Sequence, residues 1–248
     1  MHDRYPRLRR STTAAAFDRG AKRYDLMVAL NPGYHRELRR AAAALVGRVG
    51  AREGLTLIDL ACGSGASTRA LVDAAPPGTT VLGLDASRGM LAEATGKRWP
   101  AGVSFAQAVA GEMDLDEVGG GRDGILTCYL FRNVPEDARD RAVAETFALL
   151  KPGGWLVVQE YSVAGDSRAQ RVWDAVCHAC IIPLGAVVDR NVRLYRYLWR
   201  SVREFDSVAR FTGRLAAAGF TDIEHRTAAG WQRGILHTVV ARKPEEPA

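Results

Sequence analysis

The chain has 248 residues, 47% of them hydrophobic, and a formal net charge of +6. That length suffices for one medium-sized core and suits a single α/β domain. Only four of its 34 basic residues are lysine, and the arginines are scattered without interleaved aromatics, which argues against a nucleic-acid surface.

The N-terminus, MHDRYPRLRRSTT, is basic and lacks an apolar core, so it does not read as a secretory signal. Its first ten residues offer a contact for an anionic membrane surface. No apolar run approaches the roughly 18 residues of a membrane span. Cys62, Cys128, Cys177 and Cys180 show no disulfide framework, so the chain reads as cytoplasmic, with membrane contact only at the periphery. Residues 17–30 and 34–49 both carry the spacing of amphipathic helices.

The stretch 57–65, LIDLACGSG, then changes period. An apolar strand ends in Asp59 and runs into a small-residue loop, which lets a ligand approach bare backbone N–H groups. A helix should follow over 66–73. The next apolar run, TVLGLDAS, ends in Asp85, at the place where a carboxylate grips the hydroxyls of a nucleotide ribose. A dinucleotide fingerprint needs a third glycine, but the spacing from Gly63 runs through Gly65 to Thr68. Asp59 would repel a pyrophosphate and attract the ammonium of S-adenosylmethionine, so the loop favours that cofactor.

Beyond the loop the chain alternates helix and strand, as a doubly wound sheet requires. A helix over 87–98 has Ser87 as its N-cap. Strands are expected at 103–106, 124–130 and 155–160, with a helix over 135–150 that opens on proline. A long helical stretch follows strand five, then a helix at 211–219, and two apolar segments that form a closing hairpin. The whole reads as one domain: a helical cap (1–50), a cofactor-binding core (51–162), a helical cover (163–218) and the hairpin (219–248). Cys177 and Cys180 lack a second ligand pair at zinc spacing, so they read as a helical core pair and no metal is expected.

Several motifs together carry a resemblance: FDRGAKRYD with Asn31, GYHRELR, DLACGSG, GLDASRGML, FRNVPE, LKPGGWLVVQEYS, IIPLG, YRYLWRSVREF and GILH. The chain is similar to class I methyltransferases, in particular those that C-methylate the quinone ring in ubiquinone and menaquinone biosynthesis. The resemblance implies a seven-stranded Rossmann-like sheet whose last strand runs antiparallel, with N-terminal helices and a helical cover. It implies S-adenosylmethionine as cofactor, with contacts from Asp59, Ala61, Gly63, Gly65, Asp85, Ala86, Met90, Val109 and Ala110. Val109 stands where the family carries an acid toward adenine, so packing, backbone or Glu112 must serve instead.

The acceptor side implied is a hydrophobic ring compound. Arg132 and Asn133 would hold its oxygen, with Tyr24 as a further pocket residue. Guanidinium stays protonated, so Arg132 can stabilise a phenolate or orient a water but is a poor base. The competing reading makes Arg132 a surface partner of Glu136. His35, His225 and His237 are candidate proton acceptors by their ordinary pKa near 6.5. Tyr195, Tyr197, Trp199 and His237 are candidate substrate contacts. Tyr195 and Tyr197 are two apart on a helix, so only one should face the pocket. The segment 172–205 would roof the pocket or form a homodimer interface. Three functions stand open: C-methylation of a quinone or quinol, C- or O-methylation of a specialised metabolite such as a polyketide, and a non-methyl reaction such as a cyclisation on the same fold.

Overall fold

The computed structural model describes residues 33–188 and 192–245. The expected helix at 17–30, Tyr24 and the basic first ten residues lie outside them. Helix α1 (Tyr34–Val49) precedes β1 (Thr56–Leu60), α2 (Ala66–Ala74), β2 (Thr80–Asp85), α3 (Arg88–Thr95) and β3 (Val103–Gln107). A short α4 (Leu115–Val118) leads to β4 (Arg122–Cys128), then a 3₁₀ turn (Phe131–Asn133), α5 (Glu136–Leu149) and β5 (Leu150–Tyr161). The cover comprises α6 (Ser167–Val176), a π turn (Cys177–Ile181), α7 (Ile182–Val188) and α8 (Val192–Arg203). Helix α9 (Val208–Ala217), β6 (Thr221–Thr227) and β7 (Leu236–Arg242) close the chain.

The seven strands order as β3-β2-β1-β4-β5-β7-β6. β1 through β5 pair in parallel, and β7 is antiparallel to both β5 and β6. Strand order reverses between β1 and β4, so their C-terminal ends diverge into the crevice where open α/β sheets bind ligands. The central strands are apolar on both faces because helices cover both: Leu57 and Leu126 pack toward α1 and α2, Ile58 and Ile125 toward α5 and α9.

Several boundaries differ from expectation for identifiable reasons. β4 stops at Cys128 because Tyr129 takes a left-handed conformation, φ 62°. β5 begins at Leu150, ahead of the Pro-Gly-Gly, because Leu150 already pairs with Arg122 across a bulge. The unexpected α4 exists because the Asp114 side chain accepts hydrogen bonds from the N–H groups of Asp116 and Glu117. Ser87 does cap α3, accepting from the Met90 N–H at 3.1 Å.

The cover also departs from the sequence reading. Contrary to the expectation that no apolar run approaches a membrane span, one helical stretch of 22 residues, Ser167–Val188, contains 18 residues with a mean hydropathy of 1.4 and so passes the length and composition of a span. Trp173 and Cys177 anchor this stretch in the core, whereas Leu184 and Val187 are exposed. Cys177 is buried and Cys180 exposed, so the C-x-x-C is not a core pair; the π turn sends the two side chains apart.

Candidate functional site

The loop after β1 is built by local sterics. Gly63 has φ +55° and a side chain there would meet nothing within 4 Å, so bare backbone faces open space. Gly65 has φ +92°, and a Cβ on it would lie 2.8 Å from the Trp99 ring. Glycine is therefore needed at 65 for close approach as well as conformation. Ala61, with φ 64°, is a strained turn residue of the kind that costs about 1–3 kcal/mol and clusters at functional sites. Lys97 closes the outer side of the loop, donating from Nζ to the Ser64 carbonyl at 2.7 Å.

An open cavity of about 170 Å³ lies at the C-terminal ends of β1, β2 and β4. Of the residues singled out from the sequence, Ala61, Gly63, Asp85, Ala86, Met90, Val109, Ala110, Arg132 and Asn133 line it. Tyr34, Cys62, Ser64, Ser67, Cys128 and Tyr129 line it as well. Asp85 stands at the tip of β2, where its two carboxylate oxygens accept from the N–H groups of Gly63 and Ser87, each at 2.8 Å. Its place is thus set by the loop it faces.

Asp59 is fully buried beneath the loop and does not line the cavity, so the expected direct contact is replaced by a carboxylate acting from below. Its Oδ2 accepts from the hydroxyls of Ser67 and Thr68 at 2.8 and 2.6 Å. Its Oδ1 has no hydrogen-bond partner among the described residues. Burial pushes the Asp59 carboxyl up to about 6. A cationic group in the cavity would favour the ionised form and relieve this cost. The adenine-side loop is held by a residue the sequence reading missed. Glu145, from α5, accepts from the N–H groups of Gly111 and Met113 at 2.6 and 3.1 Å. Glu112 does not line the cavity, whereas Ala108, Val109 and Ala110 do.

The other half of the cavity is organised around Arg132. Its side chain is only 6% exposed and faces Glu160, Nε to Oε1, at 3.3 Å. Nη1 donates to Asn133 Oδ1 at 3.1 Å and to the Ser201 hydroxyl at 2.8 Å. Nη2 donates to no acceptor among the described residues. The surface reading of Arg132 is therefore wrong: it is buried, and Glu136 instead pairs with Arg210. Asn133 is held at both ends, donating to the Tyr129 carbonyl at 2.7 Å and accepting from the Tyr197 hydroxyl at 3.0 Å. Tyr34, Tyr129, Tyr161 and Trp173 form a continuous stack from the cavity into the core, with successive ring centroids 5.5, 4.9 and 5.4 Å apart. Gln159 donates to the Tyr129 hydroxyl at 2.8 Å.

Five expected contacts lie elsewhere. His35 is exposed on the first turn of α1, edge-on to Tyr34, because the helix phase turns it outward. His225 is exposed on the edge strand β6. His237 is buried on β7, within 3.2 Å of the Ser162 carbonyl, and burial lowers its pKa. Tyr195 packs against Gly185, where a Cβ would lie 2.1 Å from its ring. Trp199 fills the seam between α6 and α8, donating from Nε1 to Asp174 at 2.8 Å. Tyr197 on α8 reaches a residue that lines the cavity, Asn133. The end of the cover is fixed to α5 and α9 through Asp206, which is paired with Arg139, Arg210 and Arg214. Arg139 also donates from Nε to the Val134 carbonyl at 3.0 Å, tying this network to the 3₁₀ turn that carries Arg132.

The cavity thus pairs a bare backbone loop and a ribose-height carboxylate with a clamped guanidinium and amide. It suits a nucleoside carrying a cation and a second, oxygen-bearing ligand. The family model described as the ubiE/COQ5 methyltransferase family matches residues 7–241. The chain is 33% identical over 214 residues to the ubiquinone/menaquinone biosynthesis C-methyltransferase UbiE of Methylobacterium nodulans, covering 85% of this chain and 83% of that one. It is 32% identical over 232 residues to the demethylmenaquinone methyltransferase of Beutenbergia cavernae, covering 93% and 90%. Among solved structures, the N-methyltransferase NodS of Bradyrhizobium japonicum, in complex with S-adenosyl-L-homocysteine, superposes with a TM-score of 0.66 at 14% identity over 94% of this chain and 99% of that one, a likeness of fold. The chain belongs to the ubiE/COQ5 methyltransferase family and is an S-adenosylmethionine-dependent methyltransferase.

Proposed function

We propose that the protein methylates a ring carbon of a hydrophobic quinol. The observation that carries this reading is the clamped Arg132, whose Nη1 is held by Asn133 and Ser201 and whose Nε faces Glu160, while Nη2 has no acceptor among the described residues. When bound, S-adenosylmethionine supplies an activated methyl group. The residues present fit it: Gly63 turns bare backbone to open space, Asp85 offers acceptors for a ribose diol, and Asp59 places an incompletely satisfied carboxylate under the loop. Met90, Val109 and Ala110 give the adenine an apolar slot and backbone groups.

On the acceptor side, Arg132 holds a ring hydroxyl and favours its ionised form, which raises electron density on the neighbouring carbon. Asn133 is held rigid by Tyr129 and Tyr197 and orients the ring. Apart from Arg132 and Asn133, the acceptor half is largely apolar and aromatic, which fits a hydrophobic ring. A prenylated acceptor would be drawn from lipid, and membrane contact belongs to this reading through exposed Leu184 and Val187 beside exposed Arg193 and Arg196. Co-sedimentation with anionic vesicles and light scattering test membrane contact and a homodimer respectively.

The enzymatic test is incubation with methyl-labelled cofactor and a panel of demethylated quinols and polyphenols. Label on a quinol ring carbon supports the reading. Label on oxygen of a polyphenol moves the protein to specialised metabolism. Turnover of a substrate without incorporation of label places it with non-methyl reactions.

A further inference from the structure

Glu160 has no role in the acceptor site as read so far, yet it is the most constrained carboxylate beside it. It is 4% exposed at the end of β5 and does not line the cavity. One oxygen accepts from the Arg132 N–H at 3.2 Å, and the other accepts from the Tyr161 N–H at 3.0 Å. The latter also faces Arg132 Nε at 3.3 Å, a charge contact without good hydrogen-bond alignment. Glu160 therefore holds Arg132 by both main chain and side chain. Ser201 and Asn133 complete the clamp on Nη1. The arrangement fixes the plane of the guanidinium and leaves the aim of Nη2 dependent on the Nε side.

We propose that Glu160 is a positioning residue for Arg132: ionised, it locks the guanidinium so that Nη2 meets the acceptor oxygen, and protonated, it releases that lock. This inference rests on the reading of Arg132 as the group that meets the acceptor oxygen. Burial pushes the Glu160 carboxyl up to about 7, against the pull of the Arg132 charge, so the lock titrates near neutrality. The charged and titratable groups around it are Arg132 from the 3₁₀ turn, the buried Cys128 thiol on β4, and His237, its register partner on β7. Burial pushes the Cys128 thiol well above its ordinary range and lowers His237, so both are shifted away from the range of Glu160. A desolvated guanidinium beside a neutral acid loses its strongest orienting force, because an ion pair buried at this distance is far stronger than a bond to a neutral group.

The test has an arm that needs no acceptor. In the whole protein with cofactor bound, the Arg132 Nε–H resonance, assigned with Arg132→Lys, is expected to move with a midpoint near pH 7. That movement should vanish in Glu160→Gln and persist in His237→Gln. An Arg132 resonance that does not titrate between about pH 6 and 8 overturns the proposal, whatever the activity. With the best quinol acceptor, kcat of the wild type should rise with pH through the same midpoint. Glu160→Gln should lose that limb and fall about ten- to a hundredfold in kcat, with cofactor Kd within about twofold. The double variant Arg132→Lys/Glu160→Gln should be no slower than the slower single, as expected of residues acting as one unit. Additive losses, or a Glu160→Gln enzyme that keeps both limb and rate, overturn the proposal. Should Glu160→Gln fail to fold, the wild-type resonance decides alone. If no quinol is methylated while the resonance titrates as stated, the quinol reading fails and the lock stands.

Discussion

Asp85 accepts from the Gly63 and Ser87 N–H groups, one on each oxygen, so both oxygens are held at the height where a ribose diol would meet them. Asp85→Ala is expected to weaken S-adenosylmethionine binding by about 2–3 kcal/mol through loss of charge-assisted hydrogen bonds, read by calorimetric titration. Equal affinities would remove Asp85 from the cofactor site. Arg132→Lys should leave that affinity near normal and lower kcat, because an ammonium cannot hold Asn133, Ser201 and Glu160 in one plane. An unchanged rate with the true acceptor would sink the assignment of Arg132. That Arg132 and Asn133 come together at the cavity was legible in the sequence through their motif, whereas the part of Glu160 and Ser201 was not. Each meets Arg132 across 28 and 69 residues of chain, and Glu160 sits in a run that reads only as a buried strand.

At the scale of elements, the strand–loop–helix from β1 to α2 was readable because its chemistry is local: apolar run, small-residue turn, helix start. The cover was readable as helix but not in its facing. Helical spacing says which residues share a face, not which neighbour that face meets, and the π turn shifts the phase between α6 and α7. Trp199 consequently belongs to the seam with α6, and Tyr197 to the cavity edge. Tyr197→Phe is expected to raise the acceptor KM or lower kcat severalfold while sparing cofactor Kd, since it removes one of the bonds on Asn133. Trp199→Phe should instead lower stability by about 1 kcal/mol, from the lost bond to Asp174, with acceptor kinetics unchanged. Melting curves and steady-state kinetics on both variants check the division, and the reverse pattern would return Trp199 to the pocket. Glu145 acts on another element, the loop after β3. Glu145→Ala leaves two N–H groups unsatisfied and should weaken the cofactor while lowering stability by about 2 kcal/mol, measured by the same two methods.

For the whole molecule, two buried carboxylates beside one cavity give stability an unusual pH dependence. Glu160 in the folded state titrates at about 7 against 4.5 unfolded. The stability linked to its protonation is complete below the unfolded value and is lost as pH rises through about 7. Asp59, at about 6, has the same sign at lower pH. His237 has the opposite sign: its pKa is lowered, so its contribution is present above 6.5 and lost as pH falls through the folded value. The cofactor-free protein is therefore expected to gain about 1 kcal/mol as pH falls from about 8 to about 6.5, a gain that Glu160→Gln largely abolishes. Thermal melts across that range measure it, and a Tm that falls over the interval would contradict the burial of a charged Glu160.

The central claim is that one cavity holds S-adenosylmethionine at Asp85 and a quinol at Arg132, with a ring carbon as the methyl acceptor. The most direct measurement is the carbon-13 spectrum of the product formed from carbon-13 methyl-labelled cofactor and a reduced demethylated quinol, with Asp85→Ala and Arg132→Lys run beside the wild type. The expected result is a labelled methyl on the ring carbon next to a hydroxyl, formed by the wild type and much reduced in both variants. Label on oxygen, or ring methylation undiminished in both variants, would contradict it.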